Sequence, residues 1–129
     1  MATVLSKSER NQRIDALLAD LVSQRGVTAA AVVDSDGFVT HLRRDFDIDS
    51  DALGAASQVV FTAATRAAEQ VRQGHTRLLL VENKDGLVML SPIARGFVLV
   101  LVADGSAMLG AVRFELKQTV PELEKLFAG

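Results

Sequence analysis

The central stretch of the chain carries its longest regular pattern of apolar and polar positions. Between Asp49 and Gly74 there is no proline, and most residues are alanine, leucine, glutamine, glutamate or arginine, which favour helices. Asp49 or Ser50 can cap the start of a helix, and Gly74 suits the left-handed residue that often follows a helix end. The pattern therefore predicts one long helix over this stretch.

This predicted helix carries two neighbouring apolar stripes. The first consists of Leu53, Ala56, Val60, Ala63, Ala67 and Val71, and the second, of mostly small residues, consists of Gly54, Ser57, Phe61, Ala64 and Ala68. Together they cover roughly 200° of the helix, about twice the arc that a helix buries against one surface. We expect the first stripe to lie on a sheet of the same chain. The small-residue stripe is expected to pack closely against the same helix of a second copy, and packing against the chain's own sheet is the alternative.

Five other segments have the β-branched and apolar character of strands. They occupy residues 27–34, 38–43, 75–82, 87–94 and 97–103. Asp36 and Gly37 lie between the first two segments, and an Asp-Gly pair in that position is typical of a hairpin. Turns containing Gly86 and Gly96 separate the last three segments, which predicts a three-stranded meander. The last segment is apolar at nearly every position, so it is expected at the centre of the sheet.

Helical periodicity is also present near both ends of the chain. Apolar residues recur at helical spacing over residues 14–22, and Ser6 with Glu9 can form a capping box before them. A last helix is predicted after residues 104–106. Pro121 lies inside it, and either kinks the helix or marks a new turn that Thr119 caps.

The order of these elements predicts the fold class. Helix, two strands, long helix, three strands and helix make an α+β fold in which helices flank a single antiparallel five-stranded sheet, in the order α-β-β-α-β-β-β-α. Residues 1–7 are expected to form a flexible N-terminal tail, and residues 8–129 a single domain.

Composition narrows the possible partners and compartments. The chain has 129 residues, a net charge of −2 and six phenylalanines as its only aromatic residues. This gives neither the basic field nor the stacking surface of a nucleic-acid-binding protein. The chain has no cysteine, which excludes disulfides and zinc–thiolate sites. No apolar segment approaches the ~18 residues of a membrane span, and the N-terminus does not resemble a signal peptide. We expect a cytoplasmic protein.

Candidate catalytic and metal-binding residues are few. The sequence has no glycine-rich phosphate loop, no HExxH and no G-x-S-x-G, and these are the motifs that would indicate common enzyme classes. His41 and His75 are isolated and are expected to be solvated surface residues. Alternating aspartates between Asp45 and Asp51 raise the possibility of a calcium site. They lack the glycine and distal glutamate of an EF-hand, and the helix dipole explains them. We expect no catalytic residue, cofactor or metal.

The chain resembles the roadblock family, which includes dynein light chains and MglB-type bacterial domains. The likeness lies in the order of elements, the D-x-D-G hairpin at residues 34–37, the alanine-rich middle helix, and the passage from Asp104 into LGAVRFEL at residues 109–116. It covers residues 8–128 and implies a profilin-like, three-layer fold. Pro121 within the last helix departs from the family pattern.

The resemblance also implies a dimer. Roadblock domains pair through the central helix and an edge strand, which residues 75–82 would supply here. The residues expected in this interface are Gly54, Ser57, Phe61, Ala64, Ala68, Leu78 and Leu80. An uncovered apolar edge strand promotes aggregation unless something pairs with it, which is an independent reason to expect a homodimer.

Prokaryotic members of the family are non-catalytic partners of Ras-like small GTPases, and some stimulate GTP hydrolysis. The resemblance therefore implies a GTPase-binding regulator, whose expected GTPase-facing residues are Gln58, Thr62, Thr65, Arg66 and Glu69. Arg66 has the chemistry of an arginine finger, although a solvated surface charge is the simpler interpretation. Two alternatives stay open: a scaffold subunit of a larger complex, as the dynein light chains imply, and a small-molecule sensor.

Overall fold

A computed structural model describes residues 4–128 of the chain. Its elements are α1 (Lys7–Val22), β1 (Val27–Val33), β2 (Val39–Arg44), α2 (Ser50–Gln70), β3 (Leu79–Asn83), β4 (Gly86–Pro92), β5 (Val98–Asp104) and α3 (Leu109–Ala128). This order and the single five-stranded sheet confirm the predicted fold class. Of the tail expected at residues 1–7, residues 1–3 lie outside the described residues, and Lys7 already belongs to α1.

The strands lie in the order β2-β1-β5-β4-β3, and every neighbouring pair is antiparallel. As predicted from its continuous apolar sequence, β5 lies at the centre, where Val98 to Leu101 are buried. Strands β2 and β3 form the two edges. Pro92 is the last residue of β4, a position where its missing N–H removes little from the hydrogen-bond ladder.

Each face of the sheet has its own apolar core, so the molecule has three layers. Helices α1 and α3 cover one face, where Ile14, Leu18 and Leu123 pack with residues of β1, β4 and β5. Helix α2 lies on the other face, where Leu53 and Phe61 contact a smaller core of buried strand residues. Two helices therefore cover one face of the sheet, and the single helix α2 covers the other.

The first hairpin closes around the side chain of Asp34. Its carboxylate accepts hydrogen bonds from the backbone N–H groups of Asp36 (3.0 Å) and Phe38 (2.9 Å). Gly37 adopts φ +90°, which a residue with a side chain rarely tolerates. A register shift between Val32 and Val33 adds a bulge at this end of β1. The D-x-D-G sequence therefore forms the predicted turn.

Ser6 and Asp49 cap the starts of α1 and α2, although of the predicted Ser6–Glu9 capping box only the bond accepted by Ser6 is found among the described residues. The Ser6 side chain accepts a hydrogen bond from the backbone N–H of Glu9 at 3.1 Å. In the same way, the Asp49 carboxylate accepts from the backbone N–H of Ala52 at 3.1 Å. Both bonds satisfy donors that have no partner within the helix.

The predicted C-terminal cap of α2 is wrong. The helix ends at Gln70, and Arg72, with φ +58°, is the left-handed residue that follows it. The N–H of Arg72 donates to the carbonyl of Glu69, and the N–H of Gln73 donates to the carbonyl of Ala68. These two bonds form a Schellman motif. Gly74 has φ +80° but lies in the loop beyond the helix.

Two other boundaries differ from the sequence-based expectation. Helix α3 is one α-helix through Pro121, and Thr119 is buried inside it rather than capping a new turn. Strand β3, predicted from residue 75, begins only at Leu79. The residue before it, Leu78, packs against the core under α1 and α3. Its apolar side chain is therefore partly buried although it lies in the loop and not in the strand.

Candidate partner-binding surface

The orientation of α2 differs from the one expected, because the small-residue stripe contacts the sheet and Leu53 is the one residue of the first stripe that contacts the core beneath the helix. Gly54 and Ser57 of the small-residue stripe are buried within the chain, and Phe61 contacts the core beneath α2. In the first stripe, which was expected to lie on the sheet, Val60 is 42% exposed and Val71 62% exposed. The small-residue stripe therefore supplies the contact with the chain's own sheet.

The reason for this orientation lies at Gly54. A Cβ atom there would collide with the carbonyl oxygen of Gly37 and would lie 3.3 Å from a methyl group of Val39. The backbone of α2 thus approaches the first hairpin more closely than any residue with a side chain would allow. The small-residue stripe permits this approach, and Val60 and Val71 then face outward while Phe61 contacts the core.

The other expected interface residues occupy different environments. Ala64 and Ala68 are partly buried at the border between α2 and the sheet. Leu78 packs against the chain's own core, whereas Leu80 on the edge strand β3 is 38% exposed. Contact of these four residues with a second copy stays a prediction, since the structure contains one chain.

Gln58 was expected to face a partner, but its amide group is used within the chain. Its Nε2 donates to the carbonyl of Asp34 at 2.8 Å and to the carbonyl of Gly96 at 3.0 Å. Asp34 belongs to the β1–β2 turn, and Gly96 to the β4–β5 turn. Gln58 therefore ties the two turns at one end of the sheet to α2.

The five residues expected to face a GTPase lie together along one groove. Gln58, Thr62, Thr65, Arg66 and Glu69 form its α2 wall. The opposite wall consists of Pro92, Ile93, Gly96 and Phe97 around the β4–β5 turn. The groove has a volume of about 380 Å³. Thr65 donates its hydroxyl to the carbonyl of Phe61 at 3.0 Å, so its side chain is partly committed to the helix itself.

The sequence interpretation missed the second wall of the groove. Its four residues lie 34 to 39 positions from Gln58 along the chain, and the sequence predicts them only as strand ends and a turn. The turn at Arg95 and Gly96 was recognised, and these residues adopt φ +62° and +78°. Nothing in the sequence, however, indicated that this turn lies beside α2.

His41 has a local structural role, whereas His75 is exposed as expected. His41 was expected to be solvated, but it is half-buried, with Nε2 3.1 Å from Asn11 Oδ1 and Nδ1 2.9 Å from Thr40 Oγ1. Burial lowers the pKa of His41, while the charge of Asp15 opposes this shift.

Within the acidic run, Asp47 pairs with Arg44 at 2.9 Å and Asp49 caps α2. Among residues 4–128, no three or more histidine or acidic side chains are grouped closely enough to hold a metal ion. None of the helices in this range is long and apolar enough to cross a membrane.

Comparison with known proteins identifies the family. Residues 13–103 match the family model described as Roadblock/LC7 domain. The chain belongs to the Roadblock/LC7 family. The uncharacterized protein MJ0310 of Methanocaldococcus jannaschii is 26% identical over 114 residues, which cover 88% of this chain and 99% of that protein. Roadblock domains are generally regulatory and non-catalytic.

Solved structures of MglB have the same fold. Myxococcus xanthus MglB superimposes with a TM-score of 0.84 at 21% identity, over 90% of this chain and 95% of that one. An MglB with a tetrameric arrangement gives a TM-score of 0.85 at 19% identity, over 97% of this chain and 94% of that one. These likenesses confirm the roadblock, profilin-like fold predicted from the sequence.

Proposed function

We propose that this Roadblock/LC7 chain is a non-catalytic, homodimeric interaction module that binds a Ras-like small GTPase and modulates its GTP hydrolysis. The observation that carries the proposal is the groove beside α2. The groove contains all five polar residues of this chain that the family resemblance predicts to face a GTPase. Among them, the amide of Gln58 is already hydrogen-bonded within the chain. The proposal also rests on the family, whose MglB-type members have this function.

The chemistry of the surface supports a protein partner. On the outer side of α2, Val59 is 69% exposed and lies with Thr62 and Arg66 in a shallow depression next to the groove. Interfaces typically combine an apolar centre with polar residues around it, and arginine is enriched in them. The depression shares Thr62 and Arg66 with the groove, so the two form one continuous surface.

A second copy of the chain is the proposed occupant of the outward apolar stripe of α2. The stripe consists of Ala56, Val60, Ala63, Ala67 and Val71, all exposed. A continuous exposed apolar stripe usually marks an interaction site. Strand β3 forms an open edge of the sheet, and pairing with the same strand of a second copy would cover it. The tetrameric arrangement of an MglB supports self-association.

Charges along α2 favour antiparallel pairing in such a dimer. Asp45, Asp47, Asp49 and Asp51 lie before or within the first turn of the helix, whereas Arg72 and Arg77 lie beyond its end. Antiparallel helices would place the acidic end of one copy beside the basic end of the other. Complementary charges of this kind fix orientation more than they add affinity.

The proposed mechanism is a change in the GTPase rather than catalysis by this chain. A partner that binds two nucleotide states equally cannot shift the balance between them. The module must therefore prefer one state of the GTPase, and it modulates hydrolysis by repositioning the GTPase's own residues. Arg66 is exposed on the rim of the groove, where it binds the GTPase surface without entering its active site.

The test uses the small GTPases of the source organism, each loaded with GDP or with a non-hydrolysable GTP analogue. We expect tighter binding to one nucleotide state. Arg66→Ala should weaken binding up to about fivefold, as for an exposed ion pair. Stimulation of hydrolysis at saturating protein should persist, whereas loss of an arginine finger reduces it by about 10³-fold or more.

Gln70→Ala, on the exposed side of α2 outside the groove, is the matched control and should bind like the wild type. Equal affinity for the GDP and GTP forms would contradict the regulatory role and favour a scaffold. A loss of stimulation of about 10³-fold in Arg66→Ala, with binding preserved, would contradict the non-catalytic role.

A further inference from the structure

Two hairpin turns lie side by side at one end of the sheet. The β1–β2 turn follows Val33 and the β4–β5 turn precedes Val98, and these two residues are paired in the β1–β5 ladder. The turns approach closely, since a Cβ atom built on Gly96 would lie 3.3 Å from the Cβ atom of Ser35. Within residues 4–128, however, no backbone hydrogen bond joins residues 34–38 to residues 93–97. The backbone ladder therefore stops before the turns.

The side chain of Gln58 makes the connection that the backbone does not. Its Nε2 donates to the carbonyl of Asp34 in the first turn at 2.8 Å and to the carbonyl of Gly96 in the second turn at 3.0 Å. An amide nitrogen has two hydrogens to donate, and here one nitrogen serves both turns. Neither turn can move away from α2 without loss of one of these bonds.

Each turn also has a backbone donor whose exposure can be measured. In the first turn, the N–H of Gly37 donates to the carbonyl of Asp34 at 3.0 Å. In the second turn, the N–H of Ile93 donates to the carbonyl of Phe97 at 2.8 Å. Such a hydrogen exchanges with solvent when the structure around it opens, so its exchange rate reports the free energy of local opening.

We propose that Gln58 is a clamp that makes the two turns open together, and that it thereby holds the β4–β5 turn at a fixed distance from α2. Thr62 and Arg66 lie about one and two helical turns beyond Gln58, on the α2 wall of the groove. The clamp therefore fixes their position relative to the opposite wall. Gln58 is a positioning residue in this role. Its effect on a bound GTPase rests on the proposed function, whereas the clamp itself does not.

Hydrogen exchange followed by NMR tests the clamp without a partner. Gln58→Met keeps the length of the side chain and removes both donated bonds. Exchange of the Gly37 and Ile93 amides should become about tenfold faster, as expected when each opening loses about one net hydrogen bond. The amide of Asp104, which donates to the carbonyl of Gly26 at the other end of the sheet at 2.8 Å, should exchange as in the wild type.

Two further variants control for the substitution itself. Gln70→Met makes the same change at an exposed position at the end of α2 and should leave the exchange of both turns unchanged. Gln58→Lys keeps a nitrogen donor at a similar reach and should restore part of the protection that Gln58→Met loses. Equal exchange in Gln58→Lys and Gln58→Met would mean that the donated bonds do not protect the turns, which would overturn the proposal.

Coupling between the turns is a result that a merely stabilising side chain would not produce. Asp34→Ala removes the carboxylate that accepts from the N–H groups of Asp36 and Phe38, and it keeps the backbone carbonyl. It should speed exchange of the Ile93 amide a few-fold in the wild-type background and leave it unchanged in the Gln58→Met background. Such non-additivity measures the interaction between two sites. The same effect of Asp34→Ala in both backgrounds would overturn the proposal.

The outcome can be separated from that of the GTPase proposal. If exchange behaves as expected but no GTPase binds, the clamp stands and the proposed function is wrong. If a GTPase binds but Gln58→Met exchanges like the wild type, the function stands and the clamp is wrong. If both stand, Gln58→Met should bind the GTPase a few-fold more weakly, because the loosened walls lose more conformational freedom on binding. Unchanged affinity would overturn the positioning role.

Discussion

Single residues determine where α2 ends and how closely it approaches the sheet. The sequence predicts Gly74 as the left-handed residue after the helix, because glycine is the usual residue with positive φ. The Schellman bonds instead involve Arg72 at φ +58° and Gln73. A non-glycine residue can take this conformation at a modest cost when the surrounding hydrogen bonds favour it. Sequence alone could not show which of two nearby positions would do so.

Arg72→Gly should raise the free energy of unfolding by about 0.5–1 kcal/mol. Glycine removes the cost of the left-handed conformation, roughly 1–2 kcal/mol, but has more freedom to lose on folding. Urea denaturation followed by circular dichroism measures the change. Gly74→Ala is the matched control and should lower stability by about 1 kcal/mol, because φ is +80° there and no other atom lies near. A loss of stability in Arg72→Gly would mean that the arginine side chain makes a stabilising contact.

His41 should make stability depend on pH. Burial lowers its pKa below the ordinary 6.5, Asp15 on α1 raises it, and Arg10 on α1 lowers it further. The unfolded state therefore binds a proton more readily, so the stability linked to His41 is present above about pH 6.5 and is lost as the pH falls. Urea midpoints at about pH 7.5 and pH 5.5 should differ less in His41→Gln than in the wild type. An unchanged difference would assign the pH dependence to other groups.

At the scale of elements, the sequence predicted the fold well because its signals are local. Alternating apolar residues and Asp-Gly or Arg-Gly turns identify the strands, and a continuous apolar sequence placed β5 at the centre. The orientation of α2 was wrong because both of its stripes are apolar and helical spacing cannot distinguish them. The deciding contact, between Gly54 and the carbonyl of Gly37, joins residues from separate elements.

Gly54→Ala should destabilise the protein even though alanine is the better helix former. The added methyl group would meet the backbone of Gly37, and overpacking of this kind costs about 1–3 kcal/mol or more. The gain in helix propensity is only about 1 kcal/mol. Thermal and urea unfolding measure the net loss. The neighbouring Ala55→Gly, on the exposed side, should lose about 1 kcal/mol through propensity alone. If Gly54→Ala were stabilising, α2 would not lie as close to the hairpin as described.

At the scale of the whole molecule, the width of the apolar arc on α2 was informative, although the small-residue stripe and not most of the first stripe contacts the sheet. A helix with two apolar stripes needs two contacts, and the structure supplies one of them through Gly54, Ser57 and Phe61. The polar residues of the candidate site were predictable because they lie on one side of a single helix. Their partners around the β4–β5 turn were not, because only the folded chain brings that turn to α2.

The proposed homodimer can be tested through the outward stripe. Val60→Glu should reduce the mass measured by light scattering from about twice 13.8 kDa to 13.8 kDa, because a carboxylate in an apolar contact is costly unless it is paired. The single chain should still fold, since Val60 is 42% exposed within it, so circular dichroism should not change.

Thr62→Glu, which lies in the groove wall, is the control and should remain dimeric. A dimer that survives Val60→Glu but is lost in Ala64→Arg, with both variants folded, would instead place the small-residue border of α2 in the interface. A mass of 13.8 kDa for the wild type across a dilution series down to micromolar concentration would contradict dimerisation altogether. The GTPase surface would then have to be complete within one chain.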